Sequence, residues 1–488
     1  MADEIPSTGE ERPHTKALGG GEAGAGEVYQ DPKSKYQYHE KDAGKWYSDA
    51  GMPVNPAEGF KATEIRLFSV ARPHMRAFHF AWLSFFCAFV CWFAFAPLMV
   101  LVKADLGLNL SQVFTTNILS VAGTVFCRFA IGPLCDKIGP KICQFSLLSW
   151  IAVFTLLGMS VNSFWSLCIV RFCIGAGGAA FVVTQYWTTT MFANNIVGTA
   201  NATTAGWGNL GGGVTQMLMV GIYSFMRTEA GVGQEDGWRL SFLVPAIITG
   251  LVACGIMALS DDSPRGDLSY LYKEGVLARK TATQSARLGM LNLNSWLLGV
   301  QYACCFGAEL HANNTLALYF ATTESFHVGV IDAGIIASLF GWMNLFARSS
   351  GGIASDLGNK VSGMRGRLIA QSLILIIEGI LLIIFARQNH IRSAIPCLVA
   401  WSFFVQAAEG ATFGIVPYVC PEGLGGVCAV VGAWGNIGAV AWGMMFKFGY
   451  IGNFEQGYIA MGYIIIASSV FTIFMRIKGQ SSVLCGDQ

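Results

Sequence analysis

The stretch Arg128-Phe-Ala-Ile-Gly132-Pro-Leu-Cys-Asp136 returns as Arg348-Ser-Ser-Gly-Gly352-Ile-Ala-Ser-Asp356, so Arg-x3-Gly-x3-Asp occurs twice, 220 residues apart (348 − 128), each time in apolar sequence. At spacings of four the three residues share one helical face, and eight residues place Arg about 12 Å from Asp at 1.5 Å per residue. That separation is too long for a direct ion pair. If Asp ends its helix at a membrane surface, Arg approaches the bilayer midplane. A cation there costs roughly 2.5–3.5 kcal/mol on insertion scales, so it faces the protein interior and serves a pathway. Two cations, one in each copy, imply an anion between them, with capping of helix carbonyls as the plainer alternative.

Other polar residues also stand in apolar runs. Arg171, in Arg171-Phe-Cys-Ile-Gly175-Ala-Gly177-Gly178, lies a few residues into its run, and snorkelling to the outer surface is the expected arrangement. Glu309, Glu409 and Glu378 are carboxyls in apolar surroundings that are able to carry a proton, and structural pairing is the alternative for each. His311 and His327 are expected near the outer end of their helix, exposed and without a special role. Gly206-x-Gly208-x-x-Gly211 satisfies a dinucleotide-binding pattern, but no strand precedes it, so its small residues are read as helix contacts.

These residues need membrane helices to position them. The chain of 488 residues is 53% hydrophobic and 12% charged, with mean hydropathy +0.50, which places most of it in lipid. A net charge of +1 with scattered Lys and Arg carries no nucleic-acid footprint. Fourteen cysteines sit mostly in apolar runs and read as packing; Cys304-Cys305 lacks a second Cys/His cluster at zinc spacing, so no metal and no cofactor is expected. No nucleophile with an arguable base appears, which excludes an enzyme.

The apolar runs predict twelve helices, near 78–102, 111–134, 142–160, 164–191, 199–223 and 239–259, then 293–321, 331–354, 368–386, 394–417, 425–448 and 457–475. The corresponding domains are a disordered cytoplasmic tail (1–75), a first six-helix half (76–259), a cytoplasmic linker (260–290), a second half (291–478) and a short C-terminal tail (479–488). Basic residues in the short loops, among them Lys61, Arg66, Arg72, Arg76, Lys137, Lys141, Lys360, Arg365 and Arg367, place both termini in the cytoplasm. A second repeat supports duplication: Trp207-Gly208-Asn209-Leu210-Gly211 matches Trp434-Gly435-Asn436-Ile437-Gly438, 227 residues apart (434 − 207). Parallel six-helix repeats are the plan of the major facilitator architecture, an all-α membrane fold.

On Ala205-Gly206-Trp207-Gly208-Asn209-Leu210-Gly211-Gly212-Gly213-Val214-Thr215-Gln216, on the second signature Gly432-Ala433-Trp434-Gly435-Asn436-Ile437-Gly438-Ala439, and on Arg72-Pro73-His74-Met75-Arg76-Ala77-Phe78-His79 and Gln185-Tyr186-Trp187, the chain resembles the nitrate/nitrite porter family of the major facilitator superfamily, in its eukaryotic high-affinity branch. The resemblance runs from about residue 72 to about residue 476. It implies a proton-coupled nitrate importer of the plasma membrane in which Arg128 and Arg348 clamp the anion. Nitrate is planar and singly charged, and a planar guanidinium offers it parallel hydrogen bonds. The resemblance also favours Phe181, Tyr302 and Phe306 as ring faces against the ion, over lipid-facing or core packing. Asn209 and Asn436 would be neutral donors, with interhelical bonding as the alternative. Asp136 and Asp356 would belong to cytoplasmic gating networks, or be solvated helix ends.

Importing an anion into a negative-inside cell costs about 2.3 kcal/mol per 100 mV, so protons are the expected co-substrate, with Glu309 first and Glu409 second as their carrier. The rivals are a nitrate/nitrite exchanger and a non-transporting nitrate sensor. A small single-pass accessory protein is a further partner that the resemblance allows, beside the lipid bilayer itself.

Overall fold

In hydrocarbon a backbone must satisfy its own hydrogen bonds, so a chain of this composition crosses as helices. A computed structural model describes residues 28–29, 36–42, 44–193, 195–267, 282–420, 424–480 and 482–483. The first half comprises α1 (His74–Phe93), α2 (Leu110–Ile138), α3 (Pro140–Leu157), α4 (Phe164–Met191), α5 (Val197–Thr228) and α6 (Leu243–Leu259). The second comprises α7 (Leu293–Thr322), α8 (Val330–Trp342, resuming at Ala347), α9 (ending at Ala386), α10 (Ile391–Val419), α11 (Leu424–Gly449) and α12 (Phe454–Phe474). A capping box, Asn109 with Gln112, starts α2, and Ser163 with Ser166 starts α4.

Nine described segments are long and apolar enough to cross a membrane by hydropathy alone. Twelve helices arise because Gly, Asn and Thr dilute α5 and α7 below that level, and because Val330–Ala386 is two crossings rather than one. That stretch folds back at Ser362 and Gly363, where Gly363 adopts φ +60 and ψ −146, a conformation that only glycine takes cheaply. The membrane fold is therefore all-α, twelve helices in two six-helix halves.

Helix α7 is enclosed by its neighbours, with every residue from Gln301 to Phe320 buried. Peripheral helices show lipid their apolar side chains: Trp150 and Val153 on α3, Ile247 and Leu251 on α6, Leu373 and Ile380 on α9, and Tyr463 and Ile464 on α12.

The expectation of a disordered tail over 1–75 is corrected for residues 36–62, which form most of a five-stranded antiparallel meander: β1 (Val28–Tyr29), β2 (Tyr38–Asp42), β3 (Lys45–Ser48), β4 (Pro53–Asn55) and β5 (Lys61–Ala62). A small core of Tyr38, Val54 and Phe60 holds it, with Tyr38 and Phe60 stacked at 4.4 Å. It is bound to the first half and to the start of the linker. Tyr38 Oη donates to the Pro264 carbonyl (2.7 Å), Lys61 Nζ to the Thr189 carbonyl (2.9 Å), and the Ala193 amide to the Ala62 carbonyl (2.9 Å).

Asp261, fully buried at the start of the linker, accepts from Tyr36 Oη (2.5 Å) and pairs with Arg72 (3.0 Å). Burial, then Asp261, pushes the Tyr36 phenol above its ordinary range, so it stays a donor at any physiological pH. Asp262 next to it accepts from the Lys141 amide (2.8 Å) and so caps the positive end of α3. Linker residues 268–281 and tail residues 484–488 lie outside the described residues.

Candidate functional site

Helices α2 and α4 touch through backbone: a Cβ on Gly175 would overlap the Ser120 carbonyl, and one on Gly123 the Phe172 carbonyl. That closeness lets Arg128, 8% exposed, reach α4, where its Nε (3.2 Å) and Nη2 (2.9 Å) donate to the Gly178 carbonyl. Its Nη1 crosses between the halves to the Gly432 carbonyl on α11 (2.9 Å). The Phe181 and Phe306 rings lie 5.3 and 5.7 Å from the guanidinium carbon. Among the described residues no carboxylate pairs with Arg128.

Arg348 is built differently. Helices α8 and α10 are also in backbone contact, since a Cβ on Gly351 would overlap the Ala407 carbonyl and one on Gly410 the Arg348 carbonyl. This brings Glu409 Oε2 to 2.5 Å from Arg348 Nη1, while Nη2 donates to Tyr302 Oη at 3.1 Å. Tyr302 stacks on Phe306 (5.1 Å, 13° between planes), so one aromatic pair links Arg348 in one half to Arg128 in the other. Phe413 closes the ring cluster edge-on to Tyr302 (5.3 Å) and Phe181 (6.3 Å). Gly435 packs on the Tyr302–Phe306 pair, where any side chain would collide.

Glu309 is fully buried; its Oε1 accepts from Asn344 Nδ2 (2.7 Å), and its carboxyl lies within hydrogen-bonding reach of Glu409. Glu309 Oε2 and Glu409 Oε1 each have no donor among the described residues. Asn209 is buried with both amide atoms unpartnered among the described residues, whereas Asn436 Nδ2 donates to Gly432 of its own helix (3.1 Å). Asp356 pairs with Arg367 (2.7 Å); the Asp136 side chain lies outside the described residues. Glu378 is buried with neither oxygen hydrogen-bonded among the described residues.

The structure thus gathers Arg128, Arg348, Phe181, Tyr302, Phe306, Glu309 and Glu409 into one region. It adds Phe413, Asn344 and the Gly178 and Gly432 carbonyls, which sequence reasoning missed; the i, i+4 spacing of Glu409 and Phe413 was a usable signal. Two expectations fail. Arg171 does not snorkel: it is 1% exposed and hydrogen-bonded to Thr116, Asn117 and Asn314. His311 is not exposed either, but buried between Phe114 and Phe446. Among the described residues no group of three His, Cys, Asp or Glu could hold a metal ion.

The halves meet tightly on the side of the arginines away from the sheet. Gly213 of α5 lies against Gly341 of α8, Val220 covers Gly334, Ile118 of α2 meets Gly443 of α11, and Gln216 Nε2 donates to the Asn313 carbonyl (2.7 Å). The signature glycines Gly208 and Gly211 instead seat α5 on Phe85 and Phe86 of α1, as Gly435 and Gly438 seat α11 on α7.

A profile of the Major Facilitator Superfamily matches residues 81–445. Similar proteins include the high affinity nitrate transporter 2.5 of Arabidopsis thaliana, 38% identical over 89% of this chain and 86% of its own length. Nitrate transporter 2.1 of Chlamydomonas reinhardtii is 38% identical over 78% of this chain and 69% of its own length. The nitrate/nitrite transporter NrtP of Picosynechococcus is 29% identical over 75% and 83%. A solved bacterial homologue of the human lysosomal transporter Spinster, in an inward-facing and occupied conformation, superposes with TM-score 0.63 at 14% identity, over 82% of this chain and 96% of that one. With matching profile, identity and helix plan, the chain belongs to the nitrate/nitrite porter family of the major facilitator superfamily, in its eukaryotic high-affinity nitrate transporter branch.

Proposed function

We propose that this chain is a high-affinity nitrate importer of the plasma membrane that couples nitrate, and also nitrite, to protons by alternating access. The observation that carries the reading is the pair Arg128 and Arg348, buried, contributed by opposite halves and joined through the Tyr302–Phe306 stack. Nitrate would bind where the two guanidiniums and the ring faces converge. The names of the relatives supply the ion.

The coupling follows from Glu409, which holds Arg348 as an anion would. Nitrate and the Glu409 carboxylate compete for one cation, so protonating the Glu309–Glu409 pair releases Arg348 to the substrate. A proton between the two carboxyls also satisfies the two oxygens that the protein leaves without donors. Two protons per nitrate would carry net positive charge inward and overcome the opposing membrane potential. Placing the sheet and both termini in the cytoplasm makes this a state closed on the outside, at the Gly213–Gly341 contact. Asp356 with Arg367, and Asp136, would close the cytoplasmic side in the opposite state.

The test is nitrate-evoked current in voltage-clamped cells expressing the chain alone or with a single-pass accessory protein, at acidic and neutral external pH. Inward current enhanced by acid is expected. Nitrate entry without current would instead mean nitrate/nitrite exchange, and neither uptake nor current in either arm would mean a sensor.

A further inference from the structure

Among the described residues four arginines are nearly or fully buried: Arg128, Arg171, Arg348 and Arg367. Arg348 and Arg367 are neutralised by Glu409 and Asp356. Among the described residues, Arg128 and Arg171 have no carboxylate. The proposed substrate site accounts for Arg128. Nothing so far accounts for Arg171, and a buried, unpaired guanidinium is among the more costly groups a membrane protein can hold.

Its surroundings copy those of Arg128. Neutral oxygens hold it, with Nη1 on Thr116 Oγ1 (2.9 Å) and Asn117 Oδ1 (2.5 Å) and Nη2 on Asn314 Oδ1 (2.9 Å), and the Phe95 ring lies 5.9 Å from its guanidinium carbon. The donor count is in surplus. Arg171 Nε and the Nδ2 of the adjoining Asn117 are both buried and have no acceptor among the described residues. Donors around a cation that lack acceptors are what a small oxyanion would satisfy. The position is also ordered along the axis. Gly178, whose carbonyl Arg128 grips, is seven residues (178 − 171) further along α4, roughly 10 Å at 1.5 Å per residue, and Arg171 lies on the side where the halves are closed.

The geometry points to a second small-oxyanion site formed by Arg171, Thr116 and Asn117, on the far side of the Arg128–Arg348 site from the sheet. It takes the anion when the halves part on that side, and the Asn314 amide oxygen takes the anion's place when they close. Thr116, Asn117 and Arg171 belong to the first half and Asn314 to the second, so opening removes Asn314 from Nη2 and leaves the cation facing the entry path. The identity of the anion as nitrate rests on the proposed function; the donor surplus does not.

The experiment places a reporter thiol at the site in the full chain, Asn314→Cys, and reads its rate of modification by a membrane-impermeant anionic thiol reagent added outside cells, with the parent chain as background. Nitrate itself is the probe. We expect nitrate to slow modification about tenfold, to do so still when the main site is disabled by Arg128→Gln, and to lose the effect when Arg171→Gln is added. A second variant, Asn314→Asp, tethers a carboxylate in the anion's place and is expected to raise half-saturating nitrate for uptake about tenfold while leaving surface expression unchanged.

Protection that vanishes with Arg128→Gln, or that survives Arg171→Gln, overturns the second site while leaving nitrate transport intact. Protection without uptake by the parent chain supports the site and overturns the transport reading. Neither protection nor uptake overturns both.

Discussion

Arg128 is held by two carbonyls and two ring faces, groups that position its charge without cancelling it. Lysine keeps the charge but cannot span Gly178 and Gly432 at once, so Arg128→Lys should lower nitrate uptake at least about tenfold with normal surface expression, measured with isotopic nitrate in cells. Glu409→Gln removes the internal rival for Arg348 together with a proton acceptor. Uptake should then lose its dependence on external pH between about 5.5 and 7.5, whereas the parent chain should take up nitrate faster as the pH falls; a variant still stimulated by acid would transfer the coupling to another carboxyl. The repeated Arg-x3-Gly-x3-Asp frame made both arginines legible, because depth and duplication are properties of spacing. The Arg348–Glu409 contact was not legible, because it joins residues 61 apart through a helix contact that only Gly351 and Gly410 permit. Arg171 misled for a related reason: its distance from the helix start says how far it sits from water but not which neighbours surround it, and the buried oxygens of Thr116, Asn117 and Asn314 come from two other helices.

At the scale of elements, α5 and α8 meet through Gly213 and Gly341, which bring backbone against backbone on the side away from the sheet. Gly341→Val leaves no room for that contact, so it should favour the state open on that side and slow turnover, seen as faster modification of the Asn314→Cys reporter. Unchanged reactivity would mean that the contact does not hold the state. The N-terminal sheet is the element that sequence reading missed. Its strands are two to five residues long, lie among Gly and Lys, and bury only a small core of their own, so they have little alternation to read; they persist by leaning on the helical half. Asp261 is the joint. Asp261→Ala would remove the Asp261 carboxylate from Arg72 and Tyr36, and because Arg72 is one-third exposed the loss should be roughly 2 kcal/mol, below the full value of a buried pair. A fall in the thermal midpoint of the purified protein, with uptake per surviving molecule retained, would show this.

For the whole molecule, helix number, halves and pairing of signatures could all be read from apolar length and the two repeats, since lipid imposes helices and duplication imposes symmetry. What broke the symmetry could not be read that way. Removing residues 1–35 should leave nitrate uptake within about twofold of the full chain, because β2 to β5 and their anchors remain; abolished uptake with normal surface expression would favour a signalling role for the tail. The sheet's anchors, Thr189, Ala193, Asp261 and Pro264, all belong to the first half or to the chain leaving it. Among the described residues these anchors brace the first half, so the machine has a stator and a rotor: α1 to α6 should stay nearly rigid through the cycle, while α7 to α12 should swing against them.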